Sequence, residues 1–198
     1  MAAAPQWIVR EDAGVSVLIS LALRQKLGIG ELADLPPLRG CPVTEIDEEP
    51  DAALAAQWLT YWNMTIEPRA HVSHGPLELV DGFDTLVALP VEGAEELRAA
   101  IEPHAEEVVA FAQHHHSVYA SAVGAGASSY RAYASAIAGF ERNTARRALS
   151  FELNVQVLPL TQRGIWWVGA LTVAVTDSLR RDVAAFDDAI RPIIAELA

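Results

Sequence analysis

The sequence predicts an α+β chain, mainly helical, with a C-terminal antiparallel β-hairpin over about 150–160 and 165–176 set in a small sheet and packed against several helices. Three observations predict it. Apolar residues recur at spacings of three and four over long stretches, which is the pattern of amphipathic helices. From Phe151 to Val157 apolar and polar residues alternate, as they do in a strand with one wet face. Gln162-Arg163-Gly164 then offers a three-residue turn with glycine where a left-handed conformation is needed. A chain of 198 residues with 52% apolar content holds enough apolar matter for one sizeable core, so 1–198 reads as a single globular domain.

Taken in order, Asp12 to Gly28 has the form of an N-capped helix stopped by glycine, with Val15, Leu18, Ile19, Ala22 and Leu23 on one face. The run Val15 to Leu21 also fits a strand, and periodicity alone does not decide between the two. Residues 28–50 carry Gly28, Gly30, Pro36, Pro37, Gly40, Pro42 and Pro50, and so form irregular connecting chain. Pro50 and Asp51 open a second helix, on which Leu54, Trp58 and Trp62 stack at spacings of four. The segment from Pro68 to Pro76, with His71 and His74, is loop or extended chain.

Residues 94–121 have one long helical pattern, interrupted by Pro103; the helix either starts near Glu102 or kinks there. Gly124 to Ser129 forms a turn before a helix over about 130–147. In the hairpin, the expected register sets Val157 against Gly169, Val155 against Leu171, Leu153 against Val173 and Phe151 against Val175, all apolar. The turn end of the other face gathers Leu158, Leu160, Trp166 and Val168, a patch that requires a helix, a partner or a ligand to cover it. A further strand is expected at 7–10 or 84–90, and a final helix from about Asp182 to Leu197, with Pro192 as a kink point.

The formal charge of −12 is regional: residues 31–107 hold 17 acids against 3 arginines. Such a surface repels phosphate backbones, and the C-terminal arginines are interleaved with acids, so nucleic acid is not an expected partner. The longest apolar run is about half the roughly 20 residues of a spanning helix, and no membrane span is expected. The start lacks a basic segment followed by an apolar one, and the single cysteine, Cys41, cannot close an internal disulfide, so a cytoplasmic location is expected.

All six histidines fall between residues 71 and 116. Imidazole suits divalent transition metals, and His71 and His74 on a loop are able to meet His104 or His115 from the long helix. The triplet His114, His115, His116 cannot chelate one ion, because neighbouring helix residues point about 100° apart. Cys41, beside Arg39 and before Pro42, is a weak candidate nucleophile. Gly124-x-Gly126-x-x-Ser129 follows a helix and lacks the lysine of a phosphate loop.

Two functional readings result. The first is a small-ligand-binding or protein-interaction module without catalysis or cofactor, its partner a small molecule or a second copy of the chain. Its contact residues are Trp58 and Trp62, or Leu160 and Trp166. The second is a metal-dependent, hydrolase-like enzyme in which His71, His74 and His115 hold a divalent ion and an acid such as Asp81 or Glu107 acts as base.

Overall fold

The structure, a computed structural model, describes residues 6–30, 32, 34–41, 51–124 and 130–198. Parts of the expected 28–50 connection and the glycine-rich turn at 125–129 lie outside the described residues. The first element is strand β1, Trp7–Asp12, followed by helix α1, Val15–Lys26. Helix α2, Ala52–Ile66, begins where Asp51 accepts a hydrogen bond from the Ala53 amide, the N-cap that satisfies an orphan donor of the first turn. Strands β2, Leu77–Leu79, and β3, Ala88–Pro90, form a separate antiparallel pair. Of the two expected positions for a further strand, 7–10 lies within β1, whereas only Ala88–Pro90 of 84–90 is strand, and it pairs with β2 apart from the C-terminal strands.

The long helical pattern breaks at Pro103. Helix α3, Glu95–Ile101, passes through a 3₁₀ turn at Glu102–His104 into α4, Ala105–Gly124. Proline removes a helical donor and crowds the carbonyl four residues back, which accounts for the interruption. Helix α5, Arg131–Thr144, ends at Ala145 in a left-handed conformation. Strands β4, Phe151–Leu158, β5, Ile165–Trp167, and β6, Thr172–Thr176, precede the short helix α6, Asp177–Arg181. The last helix, α7, Val183–Leu197, is capped by Asp182 and continues through Pro192.

The expected antiparallel pairing of 150–160 with 165–176 does not form. Segment 165–176 folds back on itself, setting Ile165 opposite Val175 and Trp167 opposite Val173, so β6 runs parallel to β4 with Val155 against Val173 and Val157 against Val175. The reversal is fixed by a turn that a distant carboxylate holds. The Val168 and Gly169 amides both donate to the Thr172 carbonyl, and the Leu171 amide donates to Glu67 Oε1 at 2.7 Å. A Cβ on Gly169 would lie 2.6 Å from that same Glu67 oxygen, so only glycine allows the carboxylate to approach and hold the turn.

The main sheet has the order β1-β4-β6-β5, with β1 parallel to β4 and Trp7 opposite Phe151. All five residues of β6 are buried, as expected of a parallel strand covered on both faces. Successive side chains of a strand point to opposite faces. Leu153, Val155, Val157, Val173 and Val175 therefore join a core with α5 and α7. Leu158, Leu160 and Ala174 join the other core, with α1, α2, α3 and α4. Trp58 and Trp62 stack there with centroids 5.8 Å apart, and the Trp58 indole donates to the Ser20 carbonyl. At roughly 200 Å² each and 25 cal/mol per Å², the two rings contribute on the order of 5 kcal/mol apiece. No described helix is long and apolar enough to cross a membrane.

Candidate functional site

Strands β1, β4 and β6 run in one direction, so their carboxyl ends share one edge of the sheet. After β1 the chain passes to the face that carries α1; after β6 it passes through α6 to the opposite face, which carries α7. β1 and β6 flank β4, so their connections leave for opposite faces on either side of the β4 carboxyl end, and ligands of open sheets commonly sit outside the carboxyl ends of the strands. A cavity of about 80 Å³ lies there, walled largely by apolar groups from Val118, Ala122 and Val123 of α4 and from Val157 and Pro159.

Its floor is an interior ion pair. Glu11 near the end of β1 and Arg180 of α6 are 1% and 7% exposed at their side chains, and Arg180 Nε donates to Glu11 Oε2 at 2.8 Å. The Tyr133 hydroxyl donates to the same oxygen, and the Tyr119 hydroxyl to Oε1 at 3.3 Å. The Arg180 guanidinium also lies 4.6 Å from the centre of the Phe186 ring, an attractive position for a cation over an aromatic face. A carboxylate this deep requires such partners, since desolvating a charge without them costs several kcal/mol. Burial first, and the adjacent Glu11 charge second, push the pKa of both tyrosine hydroxyls well above its ordinary value, so both remain protonated donors.

A second charged group forms the rim. Asp177, directly after β6, accepts from Arg39 and from Arg181 through Oδ2, each at 2.8 Å. Its Oδ1 is buried and has no hydrogen-bond partner among the described residues. Arg39 arrives on a stretch held to the end of β4 by the Leu38–Leu160 bridge, by its own amide donating to the Pro159 carbonyl, and by the Thr161 amide donating to the Pro37 carbonyl. His115 also lines the cavity, its ring packed 4.4 Å from that of Phe111. Burial, then His114 and Arg39, lower the pKa of its imidazole, which favours the neutral ring.

The residues singled out by sequence are distributed otherwise. Trp58 and Trp62 are 2% and 1% exposed and enclosed in the core. Leu160 is buried and Trp166 half-buried against the same core, and the chain itself supplies part of the expected cover, through Leu35 and Leu38. His71 and His74 line an open groove with Asn63, Met64, Pro90 and Glu92, whereas His115 lines the strand-end cavity. Among the described residues no three His, Cys, Asp or Glu side chains are gathered so as to hold a metal ion. Glu107 pairs with the buried Lys26 at 2.7 Å, linking α4 to α1. Cys41 is buried, and desolvation pushes its thiol up to about 11, against thiolate formation.

Sequence reasoning missed Glu11, Tyr119, Tyr133, Asp177 and Arg180. One signal was present. With Trp7 and Val9, Glu11 falls on a single face of a period-two strand, so an acid stands where an inward apolar residue is expected. Its partners lie up to 169 residues away, and nothing local announces them. Comparison with protein-family models, curated proteins and solved structures finds no match to this chain.

Proposed function

We propose that the chain is a small-ligand-binding protein whose site is the cavity at the carboxyl ends of β1, β4 and β6. The observation that supports this most is the combination in one place of an apolar-walled cavity, an interior Glu11–Arg180 pair at its floor and strand connections that leave for opposite faces. Recognition suits these groups better than catalysis. None of the described lining residues is Ser, Thr, Cys or Lys, and both carboxylates are engaged by guanidinium groups.

Amide NMR spectra recorded with a mixture of small organic fragments test this reading. The expected result is perturbation centred on 115–123, 157–159 and 177–181, abolished by Val118→Trp, which fills the mouth from an exposed helix position. Perturbation confined to the groove at 60–76 and 90–92, or shifts that survive Val118→Trp, would sink it.

A further inference from the structure

We infer that the strand-end cavity selects an uncharged small molecule with an apolar body and a single hydroxyl-type polar group. This rests on the reading of the cavity as a ligand site. The argument is one of charge and size. Each charged group on the wall has a counter-charge there, Glu11 in Arg180 and Asp177 in Arg181, with Arg39 reaching Asp177 from outside the wall. Of these carboxylate oxygens only Asp177 Oδ1 keeps an unfilled acceptor among the described residues. An ammonium group would enter beside the Arg180 and Arg181 guanidinium groups, and a carboxylate would compete with Asp177 for Arg181. Either charge would lose its water within largely apolar walls, the costly form of burial.

An uncharged hydroxyl meets no such opposition. The Tyr119 oxygen donates its proton to Glu11 and keeps lone pairs able to accept from a ligand, while the neutral His115 ring carries one donor and one acceptor. The apolar body packs against Val118, Val123, Val157 and Pro159. A cavity of about 80 Å³ is several times the roughly 10–15 Å³ that one water needs, which suits a molecule of several heavy atoms and is small for a nucleotide.

The test uses one ring in three charge states: cyclopentanol, cyclopentylamine and cyclopentanecarboxylate, titrated at neutral pH by NMR against the full chain. The alcohol should bind about tenfold more tightly than either ion, the factor set by one unmatched polar group. Asp177→Ala releases Arg39 and Arg181, and the carboxylate should then gain about tenfold. Arg181→Gln, at an exposed position that tolerates exchange, should shift the preference toward the amine. An amine or carboxylate that outranks the alcohol on the unmodified protein overturns the ligand class. If Val118→Trp still removes that binding, the site stands and only the class fails; binding of all three probes unaffected by Val118→Trp overturns the site itself.

Discussion

Two gatherings of ionisable side chains in this molecule are built on opposite terms. In 71–116 the sequence is dense in histidine and acid, yet His71, His74 and His114 are exposed, and solvent and salt screen their mutual interactions. At the carboxyl ends of β1, β4 and β6 a single glutamate is sealed from water, and each of its oxygens receives a proton from a different element. Local density along the chain makes a polar surface. A buried site needs few groups, from distant segments, in a place where leaving one unmatched is expensive.

The sharpest way to break this contrast is Glu11→Ala. Removing one member of a buried pair leaves an uncompensated charge and costs about 3–5 kcal/mol, so the urea midpoint should fall steeply. The double exchange Glu11→Leu with Arg180→Met removes both charges and should recover much of that loss. If the single substitution costs no more than a surface change, the pair is not what closes this edge of the sheet.

A smaller effect concerns pH. Burial, with His114 and Arg39 next, holds the folded-state His115 below its ordinary value of 6.5. The unfolded chain therefore binds that proton first as pH falls. Stability from this group is present above about pH 6.5 and is lost as pH falls below it. Comparing unfolding free energies across about pH 5–8 for the protein and for His115→Gln should show a shallower acid-side decline in the variant. Parallel curves would mean that the ring is as well hydrated as His71.

The smallest change is expected where the sequence is richest. His71→Ala together with His74→Ala should alter stability by no more than about 0.5 kcal/mol, and added zinc should not raise the melting temperature of the unmodified protein. A zinc-dependent rise that the double variant lacks would bring the two regions onto the same footing.

Much of the scaffold was legible because it depends on neighbours in sequence. Asp51 and Asp182 mark their helix starts, Pro103 marks the interruption between α3 and α4, and the alternation of Phe151 to Val157 marks β4. Pairing was not legible. Val155 and Val157 find apolar partners whether the next strand runs antiparallel or, as it does, parallel against Val173 and Val175, so hydrophobic matching fits either direction. What decides is Glu67 closing a turn at Gly169 from about a hundred residues away, and no local pattern encodes that. The site escaped for the same reason. Asp12 invites a helix cap, which draws the eye past Glu11, although Asp12 in fact accepts from the Ala13 amide before α1 begins.

The parallel pairing of β1 with β4 also orders events during synthesis. Gln6 and Ser150, hydrogen-bonded at the start of that ladder, are separated by 144 residues. At roughly 5–20 residues per second, β1 therefore leaves the ribosome on the order of ten seconds or more before its partner exists. Through that interval Trp7, Ile8 and Val9 form an unpaired apolar edge, and the neighbouring Arg10, Glu11 and Asp12 discourage it from pairing with other chains. The glutamate that later lies beneath the cavity is, in the nascent chain, part of a charged guard.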